Sequence, residues 1–182
     1  MELWDIVDEN GNKTGRIHTK GEPMQDGEFH LAVSVWIKNS DNKYLISKRV
    51  ATKVASANMW ETTSGGAIAG DSALEGTLRE LEEELGMKAD VDKLRFIGSY
   101  ARINDFVEVF LLESNIDVNE LKLQEDEVQA AKWISICEFE EIIKSGNASD
   151  TSFNIFKNYY DNFYKRYLTF ENGRPIFKRI GE

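Results

Sequence analysis

Hydrophobic positions along the chain change their spacing several times, and those changes mark out the elements. Leu3–Val7 is a short apolar run, Asp8–Asn12 a polar turn and Thr14–His18 a return strand, which together predict an N-terminal hairpin. His30–Lys38 is β-branched and nearly continuously apolar, Asn39–Asn42 is a turn, and Lys43–Arg49 is the next strand. Ser72–Leu85 switches to helical spacing, with a capping-box pattern in Ser72 and Glu75 and a stop at Gly86. Strands are expected again near Lys93–Tyr100, Phe106–Glu113 and Lys132–Ile134, with a polar loop through Glu125–Glu127 before the last. Ser135–Ser145 reads as a helix carrying Ile136, Phe139, Ile142 and Ile143 on one face. Thr151–Tyr167 reads as a terminal helix whose aromatic stripe, from Phe153 to Tyr164 and Tyr167, is core or dimer contact. Strands interleaved with a few helices predict one α/β domain built on a mixed sheet.

Composition narrows this picture without changing it. With 182 residues the chain is long enough for one well-buried domain, and 41% hydrophobic with 30% charged residues is ordinary globular composition. No apolar run approaches a membrane span, and the N-terminus has neither a basic nor an apolar leader region, so a cytoplasmic protein is expected. A net charge of −10 repels phosphate backbones and argues against a nucleic-acid polymer as partner. Small phosphorylated substrates stay open, because a divalent cation reverses the local sign. The single cysteine, Cys137, excludes an internal disulfide and, lying in an apolar stretch, is expected to be a buried core thiol.

The helix over Ser72–Leu85 carries the candidate chemistry. At about 100° per residue, Leu74, Leu78, Leu81 and Leu85 share one stripe, expected to pack on the sheet. Glu80 and Glu84 stand one turn apart on another face with Glu83 beside them. Like charges at this spacing destabilise a helix, and they crowd the end where its dipole disfavours anions. A hard divalent cation relieves both penalties, and Mg²⁺ favours a few carboxylates plus water and phosphate oxygens. Arg79 can clamp a carboxylate or a phosphate. Ser64–Gly70 reads as a small-residue loop entering the helix, where the backbone at Gly65 and Gly66 can approach a ligand. Lys48 and Arg49, at the end of a strand, could reach substrate phosphates, although solvent-facing positions fit them equally.

Gly65, Asp71 and Arg79-Glu80-Leu81-Glu82-Glu83-Glu84-Leu85-Gly86-Met87 resemble the Nudix box, G-x5-E-x7-R-E-U-x-E-E-x-G-U, with Asp71 where the family has Glu. The resemblance implies the Nudix fold, an α/β/α sandwich around a mixed β-sheet, here with an N-terminal hairpin (1–28), a Nudix core (29–145) and a C-terminal helical extension (146–182). It also implies cleavage of a nucleoside diphosphate-linked or related small diphosphate. By the same resemblance Glu80, Glu83 and Glu84 would bind Mg²⁺ or Mn²⁺, Arg79 would orient a glutamate, and the general base would be Glu83 or Glu127. The aromatic terminal helix and the N-terminal hairpin are the surfaces on which a homodimer would form.

Leu3–Asp8, Gly27–Leu31, Trp36-Ile37 and Met59–Glu61 further resemble the Nudix branch that includes type I isopentenyl-diphosphate isomerase. That isomerase needs a cysteine and a second acid to move protons on carbon. Here Ser64 stands where the cysteine would be, Gly66 replaces a metal-ligand histidine, His30 matches one remaining ligand and Pro23 replaces the other. A serine is a much poorer carbon acid–base than a thiol. Non-catalytic nucleotide-sensing modules usually lose box carboxylates, whereas this chain keeps them. The reading is therefore a hydrolase.

Overall fold

A computed structural model describes residues 2–149, 152–163, 166–171 and 174–179, with side chains as far as residue 160. Its strands and helices follow in the order β1 (Leu3–Val7), β2 (Lys13–Thr19), β3 (Phe29–Lys38), β4 (Tyr44–Arg49), β5 (Trp60–Glu61), β6 (Thr63–Gly66), α1 (Ala73–Leu85), β7 (Leu94–Arg102), β8 (Asp105–Glu113), β9 (Val128–Ile134), α2 (Ile136–Lys144), α3 (Phe153–Phe163), β10 (Arg166–Glu171) and β11 (Arg174–Arg179). Nine of the strands form one mixed sheet.

The hairpin β1–β2 closes where the Asp8 carboxylate accepts from the backbone N–H groups of Asn10 and Asn12, both at 2.9 Å. It continues the main sheet, since Ile6 and Val7 pair with His30 and Phe29. At the centre β3 runs parallel to β8 from His30↔Asp105 to Lys38↔Glu113, while β6 lies antiparallel along its other edge. Helices cover both faces, which is why β3 is buried without alternation. Its odd positions, Leu31, Val33, Val35 and Ile37, face the α1 side with Ala73, Leu81 and Leu85. Ala32 and Trp36 face α2 and α3, where Trp36 stacks on Phe156 with centroids 3.9 Å apart. Phe153, Phe156, Tyr159 and Tyr160 thus belong to the core.

Three expectations need correcting. Cys137 is exposed, because the apolar stretch around it belongs to two elements: Ser135 caps α2, and Cys137 in its first turn points away from buried Phe139. Tyr167 lies in β10, paired with Lys178 of β11, so the C-terminal extension is not helical throughout. Ser64–Gly66 is strand, not loop: its backbone completes the ladder with β3 although its side chains carry no strand signal. Tyr164 falls outside the described residues. Among the described residues no helix is long and apolar enough to cross a membrane.

Candidate active site

The caps expected for α1 are in place. Ser72 Oγ accepts from Glu75 N at 3.2 Å, the Glu75 carboxylate accepts from Ser72 N at 2.8 Å, and Gly86 closes the helix at φ 66°. The buried face, however, differs from the leucine stripe. It consists of Ala73, Gly76, Thr77, Glu80, Leu81, Glu84 and Leu85, leaving Leu74 and Leu78 half-buried. Small residues in the first turns let α1 approach β6 closely, and a Cβ at Gly76 would lie 3.1 Å from that of Ala67. The helix then turns two carboxylates inward. A Cβ built on Gly65 would stand 2.1 Å from Glu80 Cδ, so position 65 holds glycine because the Glu80 carboxyl occupies that space.

Burial dominates the electrostatics of this pair. It pushes the Glu80 carboxyl up to about 7; the adjacent Arg79 guanidinium opposes that rise, and the Glu83 charge adds to it. Glu84 is raised well above the usual carboxylate range, first by burial, then by the negative charges of Glu80, Glu61 and Glu127, with Arg49 opposing. Its Oε2 is buried without a hydrogen-bond partner. Arg79 braces the outer side, with Nη1 2.9 Å from Glu80 Oε1 and 2.8 Å from Glu83 Oε2, and Nη2 donating to Gly66 O at 2.6 Å.

Asp71 reaches within only 3.6 Å of Arg79 Nε, which is buried and has no hydrogen-bond partner. One more methylene closes that gap. Asp71→Glu is therefore expected to stabilise the fold by about 1 kcal/mol, raising the midpoint of thermal unfolding by about 2–4 °C. An unchanged or lower midpoint would mean that water already satisfies Nε.

Glu80, Glu83 and Glu84 line one wall of a cleft of 370 Å³ whose other walls bring Arg49, Lys53 and Glu127. Lys53 pairs with Glu127, and Lys20 with Glu2 at 2.7 Å, so cations and carboxylates interleave around the opening. Among the described residues no three carboxylates already converge on one point, because Glu83 is drawn onto Arg79. Arg49 lines the cleft and contacts Glu61 at 2.8 Å. Lys48 does not: neighbouring strand residues point to opposite faces, and its ammonium lies 5.9 Å from the Trp60 ring instead. Of the two basic residues at this strand end, only Arg49 reaches the cleft. Trp60 is itself capped by Lys132 at 4.3 Å and packs on the core beneath α2 and α3.

A second cavity, of 310 Å³, lies on the far side of β6 and shares Arg49, Ser64, Gly65 and Gly66 with the cleft. His30 Nε2 meets Asp105 Oδ1 at 2.7 Å on its wall, and Trp4 stacks on His30 with centroids 4.0 Å apart. A Cβ at Gly66 would stand 3.2 Å from Trp4 Nε1, so the indole takes the room a side chain there would need. Cys137 lines neither cavity. Sequence reasoning did not single out Glu61, Lys53 or Asp105. For Glu61 the available signal was its place beside Trp60, in a short segment able to pair with the strand that carries Arg49.

Comparison with known proteins gives the arrangement its context. The NUDIX domain model matches residues 28–155. An uncharacterized Nudix hydrolase of Listeria monocytogenes is 33% identical over 147 residues, 80% of this chain and 87% of that protein. Isopentenyl-diphosphate Delta-isomerase 2 of Photorhabdus laumondii is 30% identical over 156 residues, covering 82% of this chain and 85% of its own. The crystal structure of a Deinococcus radiodurans protein superposes with a TM-score of 0.73 at 20% identity over 87% of this chain and 99% of that one, which speaks to the fold alone. With a family model spanning β3 to β9 and α1, the chain belongs to the Nudix hydrolase family.

Proposed function

We propose that this pyrophosphohydrolase cleaves the phosphoanhydride bond of a nucleoside diphosphate-linked or related small diphosphate, with Mg²⁺ or Mn²⁺ held by Glu80, Glu83 and Glu84. The observation that carries the reading is the Glu84 carboxylate, buried with Oε2 unpartnered and set among the charges of Glu80, Glu61 and Glu127. Such a group is poorly placed for stability and well placed for a hard cation. Gly65 supports the same fit, since any side chain there would displace the Glu80 carboxyl. Held by Glu80, Glu83 and Glu84, a divalent ion would supply polarisation of the phosphoryl oxygens and a lowered pKa for the attacking water.

The chain's own groups do the rest. Arg79 orients Glu80 and Glu83 through its two short contacts and fixes itself to the Gly66 carbonyl. Arg49 and Lys53 line the cleft as the cations that receive the diphosphate, and the backbone at Gly65 and Gly66 forms its floor. Water adds to phosphorus, the bridging P–O bond breaks, and the proton passes to a carboxylate, Glu83 or Glu127. These two are separable. Glu127→Gln should lower kcat by about 10²-fold with Mg²⁺ affinity unchanged if Glu127 is the base. Glu83→Gln should weaken Mg²⁺ binding whichever residue is the base, and an unchanged kcat in Glu127→Gln would assign the base to Glu83.

A Mg²⁺-dependent screen over nucleoside di- and triphosphates, dinucleotides, nucleotide sugars and isopentenyl diphosphate tests the whole reading. Release of phosphate or nucleoside monophosphate that stops on chelation is expected, with no dimethylallyl diphosphate formed, since Ser64 and Gly66 lack the isomerase groups. A folded, Mg²⁺-loaded protein that cleaves none of these substrates would sink it.

A further inference from the structure

Helix α1 packs chiefly over β3 and β6, and the sheet continues past it through β8 to β7, which pairs with β8 alone among the described strands. Register fixes which side chains share that outer face. Glu108 is paired with Val33 of β3 and Ser99 of β7, and it alternates with Phe106 and Phe110, core residues on the α1 side. Phe96 lies across from Phe110, with ring centroids 5.8 Å apart, and Ala101 lies across from Phe106. Phe96 is 54% exposed, Ser99 and Ala101 are exposed, and Glu108 is half-buried. From α1, Leu74 packs on the same cluster and Leu78 stands one turn further along. Both are half-buried, on the flank of the helix away from Arg79 and Glu83. The leucines that the fold leaves half-exposed thus border an apolar shelf with a carboxylate set in it.

That carboxylate decides what can cover the shelf. Burial alone raises Glu108, with no cation or hydrogen-bond donor among the described residues to offset it. A wholly apolar occupant, such as a lipid or a hydrophobic helix, would strip its remaining water and replace none of it. A second copy of this chain carries a net charge of −10 and, docked by the same face about a twofold axis, brings its own Glu108. Exposed Glu75 and Glu82, beside the two leucines on α1, extend the negative rim. A lysine or arginine among apolar side chains meets both demands, since its stem covers apolar surface while its head reaches the carboxylate. From the leucine flank to the edge of β7 two strand spacings give about 10 Å, the diameter of a helix. We propose that this shelf docks a basic amphipathic helix of a partner protein, with apolar anchors on Leu74, Leu78 and Phe96 and a cationic side chain paired with Glu108. It lies on the flank of α1 opposite the acidic cleft, so it does not depend on the diphosphate reading.

Fluorescence anisotropy with two labelled model helices of about 15 residues tests it on the full chain at about 0.15 M salt. Both carry leucines at i, i+3, i+4 and i+7 spacing; lysine fills the other positions in one and glutamate in the other. The leucine–lysine helix should bind saturably, and the leucine–glutamate helix about tenfold more weakly or not at all. Phe96→Ala and Glu108→Gln, both changes on the open face of the sheet, should each weaken the leucine–lysine helix about five- to tenfold. Removing an exposed acid elsewhere, in Glu120→Gln, should leave its affinity within about twofold. Glu108→Lys should reverse the order of the two helices. The proposal is overturned by no saturable binding of the leucine–lysine helix, by equal affinity for both helices, or by unchanged affinity in either Phe96→Ala or Glu108→Gln. A parent chain that sediments as a dimer, and as a monomer in Phe96→Asp, would also overturn it by making a second copy the occupant.

Discussion

Glu84→Gln is expected to lower kcat by about 10³-fold or more at saturating Mg²⁺ while leaving the protein folded and at least as stable as its parent without metal. The two halves have one cause. Glu84 is buried on the inner face of α1, its Oε2 has no hydrogen-bond partner, and the charges nearest it in effect are those of Glu80, Glu61 and Glu127. Glutamine has the same shape and no charge, so the variant loses the anion that would hold the cation and also the repulsion that the metal-free fold tolerates. Ordinary core substitutions lower stability and activity together. Steady-state kinetics beside thermal melts in EDTA therefore distinguish a ligand from a packing residue. A folded variant that turns over at the parent rate removes Glu84 from the site.

How much of this was legible in the chain depends on which rule was applied. Ser72, Glu75 and Gly86 act locally, through bonds to their own helix, and the helix ends appear where those residues place them. The buried face of that helix was less legible. Packing the leucine stripe on the sheet puts Leu74 and Leu78 inward and Glu80 and Glu84 on another face, whereas Glu80 and Glu84 are buried and those leucines are half-exposed. The discrepancy lies at the proposed site, where a local rule is expected to fail. Gly65 was the clue, because a glycine facing the helix leaves room for a carboxyl.

Other features depend on contacts distant in sequence. Strand alternation alone says that adjacent Lys48 and Arg49 cannot both face one cleft, but only the pairing of β4 with β5 shows that Arg49 is the one beside Glu61. The second cavity brings together Ser34, Thr62 and Ser149, from three segments whose proximity follows from β3 pairing with β6 and from the chain's return past Trp60. No periodicity in the sequence marks such a group. Cys137 was misread from its apolar neighbours, although the helix expected over Ser135–Ser145 already left it off the face of Ile136, Phe139, Ile142 and Ile143, and in α2 it is exposed.

The pH dependence of stability without metal is expected to run opposite to that of most carboxylates. Glu80 titrates near 4.5 when unfolded and at about 7 in the fold, so the fold favours the neutral acid. Its contribution is present in full below about pH 4.5 and is lost as the pH rises through 7, a loss of about 3 kcal/mol. Glu84 is shifted the same way, as is half-buried Glu108 outside the cleft. Groups held below their ordinary range, such as Glu2, Asp5 and Asp105, are destabilised only in more acidic solution, beneath this window. In EDTA the unfolding midpoint should therefore fall by about 6–12 °C between pH 5 and pH 8. Millimolar Mg²⁺ should recover most of that loss at pH 8 and little at pH 5, where protons hold the same oxygens. In Glu108→Gln the Mg²⁺ response should persist, and in Glu84→Gln it should shrink. A midpoint that is flat or rising with pH in EDTA, or an equal Mg²⁺ effect at both pH values, would show that the buried pair is not where the cation binds. The expected pattern means that α1 keeps, at a continuing loss of stability, two inward carboxylates that only a cation makes favourable.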